Sequence, residues 1–212
     1  MKHLNTFGIS YFQLLEGSHE WYWGTNHTGG DLYEASELYH HQLPLASNRL
    51  IFIHYPDGHV VQPLEAKDGQ YFGRPIYFDN TLTFPFADFT ANKIQIFQYQ
   101  YKNNQLSTLA EISLSEIIDC YNLLLHASPL MLTRQSADHL FQIIWPEKVE
   151  FQIGDTESFC YRADTKLYFT AWYEDPHYRE ELIIREYATG YILEKMPGSL
   201  LELPDGQKWR LY

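Results

Sequence analysis

Residues 75–114 read PIYFDNTLTFPFADFTANKIQIFQYQYKNNQLSTLAEISL. Four runs rich in Phe, Tyr, Ile, Leu and Thr stand at Pro75 to Phe78, Leu82 to Phe89, Ile94 to Tyr101 and Leu106 to Leu114. Between them lie Asp79-Asn80, Thr90-Ala91-Asn92 and Lys102-Asn103-Asn104. Aromatic and branched residues suit a pleated, half-buried surface, and Asn and Asp suit the turns that join such strands. The stretch therefore predicts four antiparallel strands in about 40 residues, the outline of one propeller blade.

The pattern recurs on both sides. A turn residue, a cation and an aliphatic stand together at Asn48-Arg49-Leu50, at Asn92-Lys93-Ile94 and, more loosely, at Asp138-His139-Leu140, in steps of 44 and 46 residues. Asp79-Asn80-Thr81-Leu82-Thr83-Phe84 has an echo in Asp164-Thr165-Lys166-Leu167-Tyr168-Phe169, offset by 85. Cys120-Tyr121 returns as Cys160-Tyr161. Self-similarity at such a period in a strand-rich chain is the mark of a repeat architecture. Further four-strand units are expected over Cys120 to Ile153 and Cys160 to Lys195.

The ends supply two strands each. Phe7 to Leu15 and Glu20 to Trp23 flank a turn at Glu16-Gly17-Ser18. Leu200 to Leu203 and Lys208 to Leu211 flank Pro204-Asp205-Gly206. Third-to-fourth-strand turns near 17, 57, 103, 147 and 189 fit a ring in which both ends share one blade. The expected fold is a single all-β domain over residues 1–212, a five-bladed propeller closed by its N- and C-terminal strands. A β-sandwich or open barrel is the alternative. The weak unit is the one from Asp31 to Leu64. Leu32, Ala35, Leu38 and Tyr39 are spaced for a helix as readily as for a strand, with Asp31 placed as an N-cap. Ser113 to Asp119 has room for a helical turn. No Trp-Asp, Gly-His or double-glycine blade signature recurs at fixed offsets.

Composition narrows the function. The chain carries 15 basic and 27 acidic residues, a formal charge of -12. A nucleic-acid partner would call for a basic stripe, and an anionic membrane surface for the same sign of charge. Neither is expected. The N-terminal residues lack the apolar core of a secretory leader, and no run reaches membrane-spanning length. Two cysteines make no disulfide or metal framework. A cytoplasmic location is the simplest expectation.

No nucleophile elbow or phosphate loop occurs. The adjacent His40 and His41 would face opposite sides of a strand, and His54 and His59 approach only as a pair across the Pro56-Asp57-Gly58 turn. Zinc needs three or four ligands. No metal or cofactor is expected. Cys120 and Cys160 read as small buried groups. Trp21 and Trp23 share one strand face and read as filling between blades or as a surface for sugars or protein.

Loops on a rigid scaffold are where binding concentrates. In the blade register one loop face collects Asn26, His27, Asp31, Asp68, Arg74, Asp119, Asp155 and Glu157. These are the candidate ligand-binding residues. The expected role is a non-enzymatic binding or scaffolding module for a protein partner or a small polar ligand such as a carbohydrate. The alternative is a glycoside hydrolase or other hydrolytic enzyme working through paired carboxylates.

Overall fold

The computed structural model describes residues 1–26, 31–203 and 207–212. It is almost entirely β, with one α-helix among the described residues. Five antiparallel sheets follow one another along the chain. The first is β1 (Gln13–Leu14), β2 (Trp21–Thr25), β3 (Leu50–His54) and β4 (Val60–Val61), in that order. In the second, β5 (Gln70–Phe72) and β6 (Ile76–Phe78) both pair with β7 (Thr81–Asp88), followed by β8 (Lys93–Gln100) and β9 (Gln105–Ser113). The third runs β10 (Leu124–Ala127), β11 (Leu130–Gln135), β12 (Leu140–Trp145), β13 (Val149–Gln152). The fourth runs β14 (Ser158–Ala163), β15 (Lys166–Tyr173), β16 (Arg179–Glu186), β17 (Ile192–Pro197). The last is the hairpin of β18 (Ser199–Glu202) and β19 (Lys208–Leu211). In element order this succession fits the blades of a five-bladed propeller.

The pairing corrects one expectation. Among the described residues, strands from the two chain ends do not share a sheet: β1 and β2 join β3 and β4, while β18 and β19 pair with each other. The reason lies between β2 and β3. Residues Leu32–His40 form helix α1, with the Asp31 carboxylate accepting the Tyr33 N–H at its start. Leu32 and Ala35 turn to the interior on helical spacing, so this segment cannot supply a strand. The β1–β2 pair takes the place instead. Trp21 lies opposite His54 and Trp23 opposite Phe52, which sends both indoles into the core. The turn at Gly17 therefore joins first and second strands, not third and fourth. Of the helical turn expected after Ser113, Leu114–Glu116 forms as a 3-10 turn capped by Ser113. The turn expected at Pro204-Asp205-Gly206 lies outside the described residues.

Each triad sits between the second and third strands of its sheet, entering β3, β8 and β12. The three do different work there. Asn92 and His139 adopt the left-handed backbone region that Asn and His tolerate better than most residues. Asn48, buried, instead behaves as a strand residue would. Its side-chain oxygen accepts the Phe72 N–H at 2.7 Å and its amide donates to the Phe72 carbonyl at 3.0 Å. Asn48→Ala strands both backbone groups without partners and is expected to lower stability by about 2 kcal/mol, read from chemical denaturation. The 85-residue echo is structural too. Asp79-Asn80 and Asp164-Thr165 make the first-to-second-strand turns of their sheets, and Leu82, Phe84, Leu167 and Phe169 are all fully buried.

The chain divides into two compact units, Met1–Ala127 and Ser128–Tyr212. The first is built on Leu15, Trp21, Trp23, Leu50, Phe52, Phe72 and Phe84. The second is built on Met131, Phe141, Ile143, Leu167, Phe169 and Ile183, with the Phe141 and Phe169 rings edge to face at 5.1 Å.

Candidate functional site

Within the first unit the structure gathers tyrosines and carboxylates around α1. Tyr33 stands in its first turn and Tyr121 follows the segment that leaves the 3-10 turn. Their ring centroids are 5.1 Å apart and their planes cross at 86°. Three acids are fixed to this pair. Asp31 accepts the Tyr33 N–H at 2.8 Å, Glu37 accepts the Tyr33 hydroxyl at 2.6 Å, and Asp119 accepts the Tyr121 N–H at 2.8 Å. Glu34 lies on the same first turn of α1.

The electrostatics are one-sided. The hydrogen bond to Glu37 raises the Tyr33 pKa above its ordinary value, and burial and the charges of Glu37 and Asp119 push the same way. Tyr71 on β5 is buried, and that burial, with the charges of Glu34 and Asp31, pushes its hydroxyl up to about 12. Tyrosine resists ionising where negative charge already sits. Among the described residues no Lys, Arg or His forms an ion pair with Asp31, Glu34 or Glu37. The sequence has no Lys or Arg between Lys2 and Arg49, while Glu16, Glu20, Asp31, Glu34 and Glu37 fall in that span. The long cation-free stretch was the signal available for this site.

Of the candidate residues, Asp31 and Asp119 meet here. Asn26 caps the far side of the β2–β3 connection, accepting the Arg49 N–H at 2.6 Å. Asp68 is exposed in the turn before β5. His27 lies outside the described residues. Arg74 reaches Glu16 at 3.8 Å, and burial, with the Arg74 charge second, pulls the His126 pKa down to about 4.

The remaining two belong to the second unit. Asp155 is exposed and faces His139 at 3.5 Å. Glu157 is not an open loop acid. It is buried, and its two oxygens accept from Arg185 at 2.9 and 2.7 Å while Arg185 also donates to the Gly190 carbonyl. Gly190 is required where it stands: its φ is +71° and a Cβ there would fall 2.1 Å from the Phe151 ring. Among the described residues Glu157 is the one buried carboxylate. A glycosidase acid must be held protonated by its surroundings, and this one is matched by a guanidinium instead.

The other sequence candidates resolve simply. Cys120 is buried. Cys160 donates toward Thr170, and burial raises its thiol pKa. His40 ends α1 and His41 caps it. The His54 N–H donates to the His59 carbonyl across the hairpin, and the His54 ring meets Asp57 at 3.0 Å between Trp21 and Tyr101. Among the described residues no three His, Cys, Asp or Glu side chains come together as metal ligands, and no helix is long and apolar enough to cross a membrane.

No protein-family model matches this chain, and a search of curated proteins returned no match.

Proposed function

We propose that the protein is a non-enzymatic binding module that recognises a positively charged group, carried by a protein partner or a small polar ligand, at the α1 face of its first unit. The observation that carries this reading is the Tyr33–Tyr121 pair tied to Asp31, Glu37 and Asp119 with Glu34 beside it. Ring faces attract cations through their quadrupole, and surrounding carboxylates add long-range attraction. Tyrosine also offers a large contact area with little entropy to lose, which suits a partner surface. The wider charge supports it: the first unit holds 13 acidic and six basic residues.

A fluorescent lysine-rich peptide tests the reading by anisotropy. The wild-type protein is expected to bind it at moderate salt and to ignore the same peptide with glutamine in place of lysine. Changing Glu34 and Glu37 to Gln together is expected to weaken binding by about tenfold and to flatten its salt dependence. Equal binding of both peptides, or no loss in the double variant, refutes the proposal.

A further inference from the structure

The same corner carries a narrower statement about its ligand, one that rests on the reading above. We infer that the site selects a methylated ammonium group over a bare one, through the perpendicular rings of Tyr33 and Tyr121.

A primary ammonium carries three N–H donors and is strongly hydrated, so a site that removes its water must return hydrogen bonds. The ring faces that form this corner return none, and each acid beside them already has one oxygen engaged. Asp31 has one oxygen on the Tyr33 N–H, Glu37 one on the Tyr33 hydroxyl, and Asp119 one on the Tyr121 N–H. Each carboxylate is held by the very residues whose rings form the corner. Their charge remains in place, with one oxygen of each already accepting. A quaternary ammonium needs no acceptor. It needs apolar contact for its methyl groups, ring faces for its positive charge, and a negative field.

The geometry supplies these three. Planes crossing at 86° with centroids 5.1 Å apart set one ring edge-on against the other, so a rounded cation beside the face of the first also lies against the rim of the second. Tyr121 is 38 % exposed, so solvent reaches this residue. Recognition of methylated ammonium groups by such aromatic walls is physically well founded, because methylation lowers the cost of leaving water while the charge persists. The bond from Tyr33 to Glu37 also fixes the Tyr33 ring, so little freedom is lost on binding.

The test uses the whole chain with labelled tyrosines, followed by ring NMR signals. Tetramethylammonium is titrated in parallel with ammonium chloride and methylamine. Tetramethylammonium is expected to shift the Tyr33 and Tyr121 ring signals and to bind at least tenfold tighter than ammonium. Tyr121→Phe, which keeps the ring, retains this preference; Tyr121→Leu, which keeps the apolar bulk, loses it. Ring signals in the wild-type protein locate the site even if the leucine variant folds poorly. Equal binding of all three cations overturns the selectivity and leaves the cation-binding proposal standing. Binding of none overturns both. A methyl preference that survives intact in a folded Tyr121→Leu places the ligand elsewhere and overturns the inference.

Discussion

Glu157→Ala is expected to destabilise the second unit by about 3–5 kcal/mol, the cost of leaving a buried guanidinium without its counter-charge. Arg185 is buried, lies 5.7 and 5.9 Å from the Phe151 and Phe169 ring centroids, and keeps only the Gly190 carbonyl once Glu157 is gone. The effect is a mismatch and not the worth of the pair. Replacing both partners at once by apolar residues, with Glu157→Leu and Arg185→Met, is therefore expected to cost less than Glu157→Ala alone. Asp155→Ala, two residues away and exposed, is expected to change stability by less than about 0.5 kcal/mol. Urea denaturation of the four proteins checks the ranking. A Glu157→Ala protein as stable as Asp155→Ala would show that the buried pair is not holding the unit.

The second large effect is a pH dependence centred on His126. Burial, then the Arg74 charge, brings its folded pKa down to about 4, below the ordinary 6.5. The unfolded chain takes up a proton near 6.5 while the folded chain declines it until about 4. Between those values the unfolded state binds more protons, so stability falls as pH falls through that window. The whole loss is about 3 kcal/mol. Above pH 6.5 this residue contributes no pH dependence. In His126→Leu the same stretch of the stability curve is expected to flatten, and the difference between the two curves isolates the histidine from the carboxylates that titrate nearby. Parallel curves from pH 7 to pH 4 would contradict the assignment.

These two residues show where sequence reading stopped. Turn chemistry made β6 to β9 legible almost to the residue, because Asp79-Asn80, Asn92 and Asn103-Asn104 interrupt runs that are otherwise aromatic and branched. The echo of Leu82 and Phe84 in Leu167 and Phe169 found matched core positions before any coordinates. Strand partners are another matter. Turn spacing counts strands and does not say which ones pair, so the two-strand ends summed to one blade on paper while β1 and β2 pair beside β3. Glu157 and Arg185 lie 28 residues apart in a chain rich in charges, and nothing local separates a buried charge from a solvated one. Tyr33 and Tyr121 are farther apart still. Asp31 and Asp119 read as loop acids in the sequence; the tyrosines they serve come to them only through the placement of α1 and of the chain after β9.

A cation at that tyrosine corner can be seen directly. Crystals grown with tetramethylarsonium, which has the shape of tetramethylammonium and an anomalous scatterer at its centre, locate the cation without refinement bias. The predicted result is the strongest anomalous peak lying in the angle beside the Tyr33 and Tyr121 rings, within about 6 Å of the nearer centroid. A map with no peak there, or with its strongest peak at another site, contradicts the account.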